Sequence, residues 1–410
     1  MQNLLSRRLV LIAALLLSVT DGIAIQINAQ SRPQRPPTGG NEKKNKRPDP
    51  TTKQEEISPE DKVAVKDDEV LEIKTSLVNV DATIYQKKGG QIVTGLTKDN
   101  FAVFEDGVKR EITNFSTPEA PITVTLVVEY SKLSAYLGRA AGGGFDPGSF
   151  EVVRPAAIFL QRFLKPPDDY ASVIAFDIRP TPLTDFTNDP KRINEVVNLL
   201  VRNNPAFSEN NVFDAVKFAL VGGKGDSVVL ENSKEKTAMY GGMADVRAKR
   251  RAIILITSGI DTFSRINYDQ VRKVIQQTGV PIYIIGTGNF FFKRYEPYLP
   301  ATDSISGAPG RLTFLQADNT LKTFAKESGG AYYPVTFESE VPNALQGITA
   351  LLRNQYSLAF EPDDTRPPDG KKRKLEVKVD VDKDGTFEEK TYVVQHRPFY
   401  IPKGVNVEKK

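Results

Sequence analysis

The chain has 410 residues, 40% hydrophobic and 26% charged, enough to bury a sizeable core and to form more than one domain. Its 55 Lys and Arg against 51 Asp and Glu leave a net charge of +4 without a basic stripe, which sets nucleic acid aside as a partner. With no cysteine and one histidine, His396, the composition excludes disulfide frameworks, thiol chemistry, multi-His metal centres and most nucleophile–histidine arrangements.

Arg7 and Arg8 precede an apolar run, Leu9 to Val19, and small or polar residues follow to Ala29 and Gln30. This is the pattern of a secretory signal over residues 1–29, with an uncleaved anchor as the alternative; the run is short for a bilayer span. Export without cysteines points to a bacterial periplasm, cell envelope or extracellular space, with no integral span after cleavage. Residues 30–69, rich in Pro, Lys and Glu with almost nothing to bury before Val63, read as a disordered linker.

From Val70 the pattern alternates through Leu77, Val78, Val80, Ala82 and Ile84, turns at Lys87 to Gly90, and resumes in Ala102 to Glu105 and Lys109 to Phe115 around the Asp106-Gly107 turn. Residues 70–118 are therefore half of a small antiparallel β module, with too few strands to stand alone. Ile122 to Val128 is a strand buried on both faces that delivers Glu129, Tyr130 and Ser131 to its carboxyl end, where an open α/β sheet binds ligands. A helix with Leu160 and Leu164 on its apolar face follows, then a strand at Ala171 to Phe176, an edge strand at Thr181 to Phe186 and a helix carrying Ile193, Val196 and Leu200 inward. After the polar loop Asn203 to Asn211 a helix begins at Val212, and Gly222 to Arg247 reads as a polar insertion without periodicity. The strand Ala252 to Thr257 ends in Ser258-Gly259-Ile260-Asp261. A helix over Tyr268 to Gln277, a strand over Val280 to Gly286, a second insertion over Asn289 to Leu312, a helix over Asp318 to Glu327, a strand over Ala331 to Val335 and a helix over Ser339 to Arg353 complete the alternation. Residues 119–354 thus form a doubly wound, mainly parallel α/β sheet. In residues 355–404 the strands Tyr356 to Phe360, Arg373 to Val381 and Thr391 to Val394 return to β, with a turn at Asp382-Lys383-Asp384-Gly385, and are expected to complete the β module around the inserted domain.

The order of elements, together with Val103-Phe104-Glu105-Asp106-Gly107, Thr125 to Ser131, Ile254 to Asp261, Glu327-Ser328-Gly329-Gly330 and Leu352 to Leu358, resembles the acidobacterial-type von Willebrand factor A-related proteins of bacteria. The resemblance implies the von Willebrand A fold and a role in adhesion or protein contact, not catalysis. Metal-dependent members of that fold hold a divalent cation with an Asp-x-Ser-x-Ser loop, a Thr and an Asp. On this sequence the first Asp falls on Glu129, the serines on Ser131 and Leu133, the Thr on Asn210 and the last Asp on Ser258. Mg²⁺ and Ca²⁺ draw affinity from anionic oxygens. Leu133 offers none and Ser258 removes a charge. No cofactor is therefore expected, and any weak Mg²⁺ or Ca²⁺ would have only Glu129, Ser131, Asn210 and Asp261. The expectation is a degenerate site whose polar groups bond one another. Recognition then falls to the rim, where Tyr130, Phe291, Lys293, Arg294, Tyr295 and Tyr298 supply interface-type side chains for an unidentified protein partner; local packing of the three Phe at 290–292 over the sheet end is the competing reading.

Gly225-Asp226-Ser227-Val228 matches a GDSL-type hydrolase block, but it sits in the polar insertion, and Val393 stands where the partner block needs Asp ahead of His396. Asp168-Asp169 and Asp363-Asp364 each follow a Pro and read as solvated turns. The sequence thus predicts an exported, non-enzymatic binding module that works without metal. The alternatives are a cation-dependent adhesion domain and an envelope hydrolase using Ser227.

Overall fold

The computed structural model describes residues 77–132, 149–202, 205, 207–226, 237–304, 309–363, 365 and 369–402. All lie in the compact unit Leu71–Lys410. The expected signal and linker, Leu133, Ser227 and Asp364 fall outside the described residues.

Strands β1 (Val78–Gln86), β2 (Phe101–Glu105), β3 (Val108–Arg110) and β4 (Ile112–Ser116) lead into β5 (Ile122–Glu129). Then come α1 (Ser149–Phe163), β6 (Tyr170–Phe176), β7 (Pro180–Thr187), α2 (Pro190–Arg202), α3 (Val212–Val221), β8 (Gly223–Asp226), β9 (Thr237–Tyr240) and β10 (Arg250–Thr257). The α/β part ends with α4 (Tyr268–Thr278), β11 (Ile282–Gly286), α5 (Gly288–Tyr295), α6 (Arg311–Ser328), β12 (Tyr332–Pro334) and α7 (Val341–Arg353). The chain closes with β13 (Tyr356–Phe360), β14 (Arg373–Val379), β15 (Tyr392–Gln395) and β16 (Phe399–Tyr400).

Six strands form the central sheet in the order β12-β11-β10-β5-β6-β7, parallel throughout except for β7, which pairs antiparallel with β6 at one edge. The two-residue period of β5 divides its side chains between two cores. Ile122, Val124, Leu126 and Val128 pack with α1, α2 and α7, while Val127 joins α3, α4 and α6 on the other face. Thr125 is the polar exception on that second face. Its hydroxyl lies 2.8 Å from Ser172 Oγ and 3.0 Å from the Tyr240 hydroxyl, and those two are themselves 2.8 Å apart, so three buried hydroxyls satisfy one another. Tyr240 ends the β8–β9 hairpin and stacks between Phe186 and Phe218; burial pushes its hydroxyl up to about 12. The segment at 222–247 is therefore not simply a polar insertion, because its second arm buries Tyr240 and Met243 in the core.

Helix ends follow their local chemistry. Asn267 and Gln270 exchange side-chain and backbone bonds of 3.0 and 2.9 Å, a capping box that starts α4, and Gly279 in the left-handed region stops it. At Gly330, just past α6, a side chain is excluded outright: a Cβ would stand 2.0 Å from the Ile282 carbonyl oxygen. Two helix boundaries differ from the sequence reading. The second insertion contains α5, and α6 begins at Arg311 instead of Asp318, since Leu312 and Leu315 are about half exposed and blur the apolar face that Phe314, Ala317 and Leu321 form.

The strands outside the α/β part make two four-stranded antiparallel sheets, β15-β1-β13-β4 and β16-β14-β2-β3, with one shared core of Val80, Val103, Leu358, Phe360 and Val377 among others. Each sheet mixes early and late strands. Val80 pairs with Leu358 and Val103 with Val377, so each half supplies the other's strand partners.

Candidate functional site at the carboxyl end of the central sheet

β5 and β10 are neighbours from which the chain winds in opposite directions, to β6 and to β11, so the loops after them diverge and leave a crevice. Glu129, the last residue of β5, stands in that crevice. Its carboxylate accepts from Asn210 Nδ2 at 2.7 Å, Thr257 Oγ1 at 2.7 Å, Ser258 N at 2.7 Å, Ser258 Oγ at 2.9 Å and Ser131 Oγ at 3.3 Å. The extra methylene that distinguishes Glu from Asp carries the carboxylate across to the end of β10. Four of the residues singled out from sequence, Glu129, Ser131, Asn210 and Ser258, thus meet in one network. Thr257, its fifth member, was missed because the strand pattern marks it only as the last residue of a buried run.

Asp261 does not join them. It accepts from the Phe213 N–H at the start of α3, at 3.3 Å, and from Ser264 Oγ, where a carboxylate favours the helix end. Burial pushes its carboxyl above the usual carboxylate range in spite of those bonds. Among the described residues the Glu129 network therefore offers a hard cation one carboxylate, already taken up by N–H and O–H donors, plus hydroxyl and amide groups. As arranged, these residues do not fit Mg²⁺ or Ca²⁺. One atom is left over: Asn210 Oδ1 is buried without a partner, since Asn210 Nδ2 is committed to Glu129.

The rim also differs from the sequence expectation. Tyr130 turns inward, donates to the Leu200 carbonyl at 2.9 Å, packs against the core and has its hydroxyl pushed up to about 12 by burial. Phe291 and Tyr295 are buried with Ile260, Phe314 and Ala317 in a small separate core, because α5 is a helix and its i, i+4 positions face inward. Those three residues are structural. Lys293, Arg294 and Tyr298 are exposed, with the Arg294 guanidinium lying 5.7 Å from the Phe290 ring centre and 5.8 Å from that of Tyr295. Three exposed phenylalanines at this end of the sheet were not among the expected rim residues: Phe207, whose carbonyl accepts from Lys132 N just past β5; Phe263, whose N–H donates to the Asn210 carbonyl; and Phe337, just past β12. All lie on loops at the same sheet end. Single Phe residues in polar loops carry no periodic signal, so only their exposure singles them out.

Of the residues weighed for catalysis, His396, Asp169 and Asp363 are occupied elsewhere. His396 accepts from Val377 N through Nε2 at 3.3 Å and faces the Arg397 carbonyl with Nδ1 at 2.7 Å, and burial lowers its pKa, so it is a neutral ring tied at both nitrogens. Asp169 is not a solvated turn residue. It is buried, ion-paired with Arg353, and accepts from the Ile122 and Lys165 N–H groups at 3.0 Å each. Asp363 accepts from Thr365 and pairs with Arg110 at 3.1 Å, which together hold it down to about 2.

No protein-family model matches the chain, and no curated protein matches it. Among solved structures it is similar to proximal thread matrix protein 1 from the mussel byssus, at 11% identity over 60% of this chain and 50% of that one, TM-score 0.38. It is also similar to a point mutant of the PilB minor pilin from Streptococcus sanguinis, at 12% identity over 57% and 62%, TM-score 0.38. A third likeness is to the vWF domain of the type V pili tip protein Mfa5 from Porphyromonas gingivalis, at 13% identity over 58% and 96%, TM-score 0.35. The chain spans about half the length of the first and under two thirds of the second. Likenesses this distant carry no weight for function. The strand order does carry the fold: a six-stranded sheet that is parallel but for one edge, helices on both faces, and flanking β segments that pair with each other make this a von Willebrand A-like α/β domain inserted in an antiparallel β module.

Proposed function

We propose that the carboxyl end of the central sheet is the protein-binding surface of an exported, non-enzymatic adhesion-type module, and that it works without a bound metal ion. The observation that carries the reading is the exposure of Phe207, Phe263 and Phe337 on loops around a crevice whose one carboxylate is satisfied internally. Burying a Phe side chain at an interface gains about 1.5–3 kcal/mol, so such residues act as anchors, and Arg294 and Tyr298 add the polar side chains common at interfaces. Glu129 ties the Asn210 loop to the Ser258 loop and so holds part of this surface ready-made, which lowers the ordering cost of binding. Export rests on the residue pattern at 1–29.

The reading is checked by cross-linking capture from envelope extract. A Phe207→Ser, Phe263→Ser, Phe337→Ser variant that folds normally is expected to lose at least tenfold of the capture, and EDTA is expected to leave the wild type unchanged. Equal capture by the variant would remove the surface from consideration, and loss with EDTA would remove metal independence.

Cation dependence has one observation in its favour, the unpartnered Asn210 Oδ1. Under the metal-free reading, Mg²⁺ or Mn²⁺ leaves the melting temperature unchanged, and Glu129→Ala lowers stability by about 1–3 kcal/mol through the donors it strands. A Mg²⁺-dependent rise in melting temperature that disappears in Glu129→Ala would reverse the assignment.

A further inference from the structure

The loop between β14 and β15 brings together three carboxylates that the crevice does not use. In Asp380-Val381-Asp382-Lys383-Asp384-Gly385-Thr386-Phe387-Glu388, Asp recurs at the first, third and fifth positions and Gly follows at the sixth, the spacing of calcium loops of the Asp-x-Asp-x-Asp-Gly kind. One ligand oxygen from each of Asp380, Asp382 and Asp384 lies within 4.8 Å of the others. Ca²⁺ takes oxygens at 2.3–2.6 Å, so two of its ligands stand at most about 4.6–5.2 Å apart, and the three carboxylates are already inside that limit.

An independent observation marks the place. Asp380 Oδ1 is shut off from solvent and has no hydrogen-bond partner, although the residue as a whole keeps some exposure. A buried carboxylate oxygen without a donor is costly unless a cation answers it. Within the loop each aspartate spends one oxygen: Asp380 Oδ2 on Gly385 N at 2.9 Å, Asp382 Oδ1 on Asp384 N at 3.3 Å, and Asp384 Oδ1 on Thr386 N at 2.7 Å. No Lys or Arg among the described residues is ion-paired with any of the three, and the nearest basic residue in sequence, Lys383, reaches instead to Thr97 Oγ1 at 3.1 Å. The start of the loop is anchored, because Asn100 Nδ2 donates to the Asp380 carbonyl at 2.7 Å and Asp380 N donates to the Asn100 carbonyl at 2.8 Å.

We infer that Asp380, Asp382 and Asp384 form a Ca²⁺ site in the β module, separate from the crevice at Glu129. Thr391 stands where the twelfth-position Glu of the tightest loops would be, so the affinity belongs to the weak class, with Kd on the order of 10⁻⁴–10⁻³ M, as in extracellular modules. The loop joins a strand of one sheet to a strand of the other, so the ion would brace the module at that crossing.

The test is calorimetric titration and thermal melting of the full chain with CaCl₂, with MgCl₂ in parallel. Wild type is expected to bind one Ca²⁺ and to gain about 2 °C at tenfold excess over Kd, with Mg²⁺ at least tenfold weaker. Asp382→Asn with Asp384→Asn, both exposed positions, is expected to melt like the wild type in EDTA and to lose the Ca²⁺ response, whereas Glu129→Gln keeps it. No Ca²⁺ binding by wild type at 5 mM, or binding undiminished in the double variant, overturns the site. Loss of the response in Glu129→Gln alone would move the ion to the crevice and count against both this site and metal-free recognition.

Discussion

Replacing Glu105 with Ala is expected to lower the stability of the folded unit by about 3–5 kcal/mol, because it leaves a buried cation uncompensated. Glu105 is fully buried at the end of β2 and accepts from Arg373 Nη1 at 2.8 Å, Arg110 Nε at 2.8 Å, the Asp363 N–H at 3.1 Å and the Tyr400 hydroxyl. Arg373 is itself buried, on β14, and Tyr400 lies on β16, so one carboxylate joins the early half of the β module to the late half. Burial alone pushes this carboxyl up, but the bonds from Arg373, Tyr400 and Asp363, with the charge of Arg110, outweigh it and hold the pKa below its ordinary value of 4.5. The contribution is therefore present above the unfolded-state pKa and is lost as pH falls through the lower folded value. Urea melts of wild type and Glu105→Ala should differ most near pH 7 and converge as the pH drops below about 4. A gap that stays constant from pH 7 to pH 3 would mean that the loss is one of packing and not of charge.

Arg250→Ala is expected to cost a similar amount, about 3–5 kcal/mol, from stranded carbonyls and the cavity left behind. Arg250 opens β10 and is fully buried, yet it forms no ion pair among the described residues; its guanidinium donates instead to the carbonyls of Pro118, Ala120 and Leu352. Pro118 and Ala120 lie on the segment from β4 into the α/β part, and Leu352 lies in the last turn of α7 before the chain returns to β13. One side chain thus fastens both crossings between the modules. Burial lowers the pKa of the guanidinium while the charges of Asp81 and Asp169 act to raise it. A single ammonium cannot address three carbonyls set around a planar fork, so Arg250→Lys should recover less than half of the loss. Chemical denaturation of the three proteins measures this directly, and full recovery by Lys would show that charge alone, not the fork, matters at this position.

Much of the fold is legible along the chain. The charge-free run of apolar or β-branched residues in β5 and the alternation in β1 and β14 have the periods of a two-sided and a one-sided strand, and each element was found where its period placed it. The pairing of early with late strands followed from the need of a short β segment for partners. Less legible were elements whose apolar face is shared with a loop, such as α5 and the first turns of α6, and the β9 arm that carries a lone buried Tyr240.

The candidate site divides in the same way. That Leu133 offers no oxygen and Ser258 no charge is a matter of side-chain chemistry, and the expectation of a crevice poor in negative charge came from the sequence and its resemblance. It also determined the absence of thiols and the single His. Only the tertiary structure decided where the remaining groups point. Glu129 bridges to Asn210, Thr257 and Ser258, Asp261 turns away to α3, Phe291 and Tyr295 go inward while Phe207, Phe263 and Phe337 stay out, and three aspartates converge after β14. The reason is physical: periodicity records which face of an element is buried, whereas the direction of a polar or aromatic side chain on a loop depends on donors, acceptors and packing brought from distant parts of the chain.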